Sequence, residues 1–207
     1  MKHEWRKHEK SLYLPKAAPE LVEVPGHKFL MIDGQGNPNE EEFAERVKVL
    51  YSMAYAVRMM PKGGFTPPGY VEYTVYPLEG IWSLTEKGRK LTELNKNEFL
   101  YTIMIRQPEF VTKEVVLMAL DKVTKKNSHP FLEQVYFQTS DKSLNVQMLH
   151  IGPYDDEPKS FAIMDEFAKD NNLLRIEKEH REIYLSDARK VVPEKLKTVL
   201  RYKVQQK

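Results

Sequence analysis

The chain has 207 residues, 41% hydrophobic and 30% charged, which supplies a real core and excludes a disordered or fibrous polypeptide. Its 32 basic and 30 acidic side chains leave a formal charge of +2, too balanced to steer a polyphosphate partner, and the absence of cysteine removes disulfides and thiolate chemistry. No apolar run approaches the roughly 20 residues that cross a bilayer, and the charged start precedes no signal-like hydrophobic segment, so a cytoplasmic protein without a membrane partner is expected.

In chain order, residues 1–16 read as a polar arm. Residues 29–32 form a short strand that stops at Gly34-Gln35-Gly36. Asn39 is placed to cap a helix with Glu40, Glu41 and Glu42 in its first turn, and Phe43, Val47, Leu50, Ala54 and Val57 give it one apolar face over about 40–60. Pro61 ends it. Gly63-Gly64 and Pro67-Pro68-Gly69 mark a turning connection, after which 70–76 alternates as a strand does, Tyr70, Glu72, Thr74 and Tyr76 facing one way.

Further on, 78–84 is extended, 99–106 a strand, and 113–126 a helix spaced by Val116, Ala119, Leu120 and Val123. Strands follow at 134–139 and 144–150, then a helix at 158–170 and a strand over about 174–185; the last segment, 197–204, fits a closing strand or a short helix. A strand, Gly36, an acidic turn and a helix in the first half find a counterpart in a strand, Gly152, an acidic turn and a helix in the second. This predicts an α+β fold, a single domain over 1–207 with two pseudo-repeated halves whose antiparallel sheets share a central cleft. No dinucleotide fingerprint supports a doubly wound parallel sheet.

Candidate chemistry gathers around His150-Ile151-Gly152-Pro153-Tyr154 and the 182–187 segment. Gly152 permits a sharp turn or close approach to a ligand, Pro153 fixes it, and Tyr154 offers a ring and a hydroxyl; a plain turn with a packed tyrosine is the competing account. Glu182 and Tyr184, two apart on a strand and in line with His180, face one side. If that side is enclosed, Glu182 can attract a cation or act as a base on water; otherwise the row is solvated. Trp82 supplies a flat wall beside Gly80, with Glu79 on the rim, or is simply a core residue. The histidines show no companions at metal-ligand spacing, and neither a nucleophile elbow nor a phosphate loop is present.

Tyr76-Pro77-Leu78-Glu79-Gly80-Ile81-Trp82, Ile151-Gly152-Pro153-Tyr154, Glu182-Ile183-Tyr184-Leu185-Ser186-Asp187 and the ending at 193–201 together resemble the GyrI-like small-molecule-binding superfamily. Within it they resemble the stand-alone branch related to cyclopropanoid cyclopropyl hydrolases. The resemblance implies duplicated β-α-β-β modules around a central cleft. It also implies an acidic pocket residue at Glu182 with Tyr184 beside it, Trp82 as aromatic wall, and Tyr136 and Tyr154 as further pocket positions. Ala188 stands where the family pattern has proline, which bears on the backbone after Asp187 and not on Glu182 or Tyr184.

The implied activity is hydrolysis of the cyclopropane of planar DNA-alkylating compounds by water activated at Glu182, with a phenol, Tyr184 or Tyr136, donating to the developing oxyanion and neither metal nor organic cofactor. The alternative is a non-catalytic effector or multidrug-binding module of a regulatory kind. In both, the partner is a planar aromatic or cationic small molecule. No specific nucleic-acid binding is expected, and monomer and homodimer both stay open.

Overall fold

A computed structural model describes residues 2–207. The elements are α1 (Trp5–His8), α2 (Lys10–Tyr13), β1 (Glu20–Val24), β2 (Lys28–Gln35), α3 (Glu41–Arg58), β3 (Leu78–Leu84), β4 (Phe99–Gln107), α4 (Lys113–Lys126), β5 (Tyr136–Thr139), β6 (Ser143–Ile151), α5 (Glu157–Asp170), β7 (Leu173–Arg175), β8 (His180–Tyr184) and β9 (Lys197–Gln206). The fold is mixed α+β with antiparallel strand pairing. None of the described helices is long and apolar enough to cross a membrane.

Two compact units divide the chain, and the division passes through β3. The first holds His27–Leu78 and Ser83–Ser140 with the described residues up to Glu4. There β2 lies between β4 and β5, with Leu30 opposite Ile105 and Met31 opposite Tyr136. The helix expected at 40–60 forms as α3, and Val49, Leu50, Met53, Ala54 and Val57 make its buried stripe against β2 and β4. Asn39 does not cap it. Glu40 takes the cap position without a side-chain bond, while the Asn39 amide donates to Asn37 Oδ1 in a turn of its own.

The strand expected at 70–76 is absent. That segment makes an isolated bridge between Tyr73 and His3, and Arg58 fixes it by donating Nε to the Tyr73 carbonyl (2.6 Å) and Nη2 to Glu72 (2.7 Å). Alternation alone does not make a strand where no ladder partner runs alongside.

The second unit holds Trp5–Gly26, Glu79–Trp82 and Asp141–Lys207. Its strands run in the order β1-β6-β9-β8, then the Glu79–Trp82 stretch of β3, with β7 on the far end of β9. The closing segment is a strand because it is central: β6 and β8 flank it and residues 198–202 are all buried. The single strand expected at 174–185 is broken into β7 and β8. Arg175 enforces the break by donating to the carbonyls of Glu177, Lys178 and Glu179 within 3.0–3.1 Å.

One face of this sheet packs under α5, where Val146, Met148, Met164, Ala168, Leu173, Leu200, Tyr202 and Val204 form the core. The other face receives the amino-terminal segment, which is therefore not a loose polar arm. Trp5, Leu12 and Tyr13 are buried, and Arg201 Nη2 and Gln147 Nε2 donate to the carbonyls of Leu12 and Ser11 at 2.5 and 2.7 Å. The arm's charged residues mask these apolar anchors in a composition-based reading. Strand β1, which periodicity alone does not announce, pairs with β6 as an edge.

Candidate functional site

Strand alternation decides which residues share a face. Glu182 lies opposite Gly80 and Leu200, and His180 lies opposite Trp82. His180, Glu182 and Tyr184 therefore project with Trp82 to the side that carries α5. Glu79, paired with Ile183, projects to the opposite side, where its Oε2 sits 3.5 Å from Arg181 Nη1 and it is 1% exposed. The structure thus separates Glu79 from Glu182 by the thickness of the sheet.

The side chains on the α5 face form a directed chain of hydrogen bonds. Trp82 Nε1 donates to Tyr184 Oη at 2.7 Å, and Tyr184 Oη donates to Glu182 Oε2 at 2.8 Å. His180 Nε2 is 2.9 Å from Glu182 Oε1. An ionised carboxylate only accepts, so that ring nitrogen carries the hydrogen. Trp82 and Glu182 are 5% and 8% exposed. Gly80 makes this arrangement possible, because a Cβ there would lie 2.5 Å from the Trp82 indole nitrogen and 3.1 Å from Tyr184 Oη.

The turn before α5 brings a second carboxyl to the same place. Gly152 has φ 142°, a conformation that side chains rarely adopt, and lets β6 turn abruptly. His150 then holds the turn: Pro153 can only accept, so His150 Nε2 donates to its carbonyl (3.1 Å) and Nδ1 accepts from Ser160 Oγ (2.9 Å). This role accounts for His150 without a ligand. Glu157, first residue of α5, is 6% exposed, and as a carboxylate its Oε1 would have no donor.

Burial, then the charge of Glu182 and a hydrogen bond to it, hold the Glu157 carboxyl far above the usual carboxylate range. The helix amino terminus favours an anion at this position, but only by about 0.3–1 kcal/mol, so burial and the facing carboxylate prevail. Protonated, Glu157 donates to Glu182. Burial, followed by the Glu182 charge and hydrogen bond, also pushes the Tyr184 phenol well above its ordinary value.

Tyr154 meets Tyr184 edge-on, with ring centroids 6.0 Å apart and an interplanar angle of 89°. It is 39% exposed, and among the described residues its hydroxyl makes no protein hydrogen bond. Partial burial, with the charges of Glu182, Glu157 and Asp187, pushes it up to about 12, so at neutral pH it remains a donor. Tyr184 differs: its one hydroxyl hydrogen is committed to Glu182. Tyr136 belongs to the other unit, where it donates to Asp33 Oδ1 at 2.9 Å on a sheet edge.

The expectation that no histidine has ligand companions needs correction. Glu157, His180 and Glu182 place one donor atom each within 4.8 Å of one another, so they are the described residues that could hold a cation. Strand spacing singles out His180 and Glu182, whereas Glu157 has in sequence only the look of an acidic helix start. Its position four residues after Pro153 and directly before Pro158, at the start of α5, is the signal that the sequence offers.

No curated protein sequence matches this chain. Among solved structures, a hydrolase from Listeria innocua is 37% identical with a TM-score of 0.91, over 99% of this chain and 100% of that one. A second Listeria innocua hydrolase structure is 36% identical with a TM-score of 0.89, over 98% of this chain and 100% of that one. The EcmrR C-terminal domain, 15% identical with a TM-score of 0.52 over 91% of this chain and 98% of that one, shares the fold alone. The profile of the GyrI-like small molecule binding domain matches residues 17–205, and with that span and the full-length likeness to the Listeria proteins, the chain belongs to the GyrI-like small-molecule-binding family.

Proposed function

We propose that this protein hydrolyses the strained cyclopropane of planar, DNA-alkylating compounds, with Glu182 as the base that takes a proton from water. The observation that supports this most directly is the buried Glu182 carboxylate, oriented by Tyr184 and His180 beside the Trp82 indole. Similarity over the whole chain to proteins described as hydrolases adds to it. In this reading the successions β2-α3-β3-β4 and β6-α5-β8-β9 are copies of one β-α-β-β module within a single domain.

Water bound to Glu182 attacks the less hindered ring carbon. A carbon–oxygen bond forms, the ring carbon–carbon bond breaks, and its electron pair passes into the conjugated carbonyl of the substrate. The oxygen there gains charge, and Tyr154, whose hydroxyl is uncommitted, donates to it. Tyr184 and Trp82 orient the carboxylate, and the aromatic edges offer a flat surface to a planar ligand.

The test is to incubate metal-free protein with such a compound and follow the water adduct by mass spectrometry. Glu182→Gln is expected to lower the rate by ~10²-fold or more with little loss of binding. Equal turnover by both proteins would remove Glu182 from the reaction. Saturable binding without turnover would instead favour a non-catalytic effector module.

A further inference from the structure

Glu157 takes no part in the hydrolysis as written, yet α5 delivers it to the carboxylate that does. Glu157, and His180 and Glu182 two apart on β8, each bring one donor atom within 4.8 Å of the other two. Both glutamates are under a tenth exposed, and Glu157 Oε1 is buried with no hydrogen-bond partner. A carboxylate oxygen enclosed in this way costs free energy until a donor or a cation meets it. Among the described residues no lysine or arginine pairs with either glutamate, and the nearby Lys159 is held by Asp156.

The donor set narrows the class of cation. Two carboxylates and a neutral imidazole carry two negative charges, so a dication leaves the enclosed cluster neutral, whereas a monovalent ion leaves a buried charge behind. Magnesium and calcium seek shells of six or more oxygens. Zinc takes mixed nitrogen and oxygen donors, commonly three from the protein with water as the fourth. Zinc ligands at about 2.0–2.2 Å in a tetrahedron lie roughly 3.3 Å apart. Here His180 Nε2 and Glu182 Oε1 are 2.9 Å apart and no pair exceeds 4.8 Å, a spread that side-chain rotation closes.

We propose that Glu157, His180 and Glu182 form a zinc site of three protein ligands, which holds the dication in place of the hydrogen that Glu157 otherwise donates to Glu182. The His180 ring binds through Nε2 and keeps its hydrogen on Nδ1. The binding stands independently of the proposed hydrolysis, and only its consequence rests on that reading: bound zinc occupies the Glu182 lone pair that takes the proton of water, so the zinc form is the inactive form.

Full-length protein, freed of metal by a chelator that is then dialysed away, is titrated with zinc chloride by calorimetry at neutral pH, and separately with magnesium and calcium chloride. One zinc per chain should bind with Kd of about 1 μM or tighter, and magnesium and calcium should not bind below about 1 mM. Glu157→Gln, His180→Ala and Glu182→Gln should each weaken zinc binding by about 100-fold or more. His129→Ala, at a histidine paired with Glu45 in the other unit, should leave it unchanged. Cobalt(II) in the wild-type protein should show the visible absorption of a four-coordinate ion, a readout that depends on no variant's folding.

Absence of saturable zinc binding below about 100 μM would overturn the site. Zinc binding that survives all three substitutions would also overturn it, as an adventitious ion only, and magnesium binding as tight as zinc would overturn the choice of metal. With the cyclopropane compound, saturating zinc should lower turnover by about 10²-fold and chelation should restore it. Turnover undiminished by bound zinc would overturn the inhibition. Zinc binding by a protein that hydrolyses nothing would support the site and refute only the hydrolysis.

Discussion

Replacing Glu157 by glutamine should make this protein more stable, increasingly so as pH rises. In the native state burial and the charge of Glu182 hold the Glu157 carboxyl far above the usual carboxylate range, whereas unfolded it titrates near 4.5. A group whose pKa is raised by folding contributes its full stability below the unfolded value and loses it as pH climbs toward the folded one. Between those limits the unfolded chain binds one proton fewer than the native chain, and unfolding free energy falls by about 1.4 kcal/mol per pH unit.

Over the two or more pH units that the facing charge alone supplies, this amounts to ~3 kcal/mol, a large share of a typical margin of 5–15 kcal/mol. The geometry supports a shift of this kind. Two charges no more than 4.8 Å apart repel by at least ~3 kcal/mol at an effective dielectric of about 20, which alone accounts for over two pH units before burial is added. Glutamine keeps the shape and one donor and cannot ionise. In urea denaturation of both proteins at about pH 5 and pH 8, the wild type should lose ~3–4 kcal/mol relative to Glu157→Gln, equivalent to a relative Tm change of roughly 6–15 °C for a chain of this size. Parallel stability profiles for the two proteins would refute the buried, protonated Glu157.

Tyr184→Phe removes the acceptor of the Trp82 indole and a donor to Glu182, and should cost about 1–3 kcal/mol, with an upfield shift of the indole N–H resonance. Gly80→Ala drives a methyl group against the Trp82 indole nitrogen and should cost about 1–3 kcal/mol while weakening binding of a planar ligand, measured by fluorescence titration. Gly152→Ala imposes φ 142° on a residue with a Cβ and should lower stability by about 1–3 kcal/mol in urea denaturation, although space around the position is open to 3.6 Å. Leu200→Ala, on β9 beside Glu182 and buried in the core under α5, should cost about 2–5 kcal/mol by the same measurement.

Local patterns in the sequence determined much of this molecule. The helix at Lys113–Lys126 and the apolar stripe of α3 follow from a 3.6-residue period, the end of α3 from Pro61, and the abrupt turn after β6 from Gly152. The two-residue spacing of Glu182 and Tyr184 put them on one face, because strand alternation needs no tertiary information. Tertiary structure alone decided the rest. Residues 70–76 alternate but lack a neighbouring strand, whereas β9 resolves from an ambiguous segment because β6 and β8 flank it. Burial of Trp5, Leu12 and Tyr13 depends on Arg201 and Gln147, which lie far along the chain. Glu157 looks like any acidic residue at a helix start until α5 lands on the face of β8. Its carboxyl is held above the usual carboxylate range because the fold removes water from two carboxyls at once, and a linear sequence does not reveal which charges will share that loss of solvent.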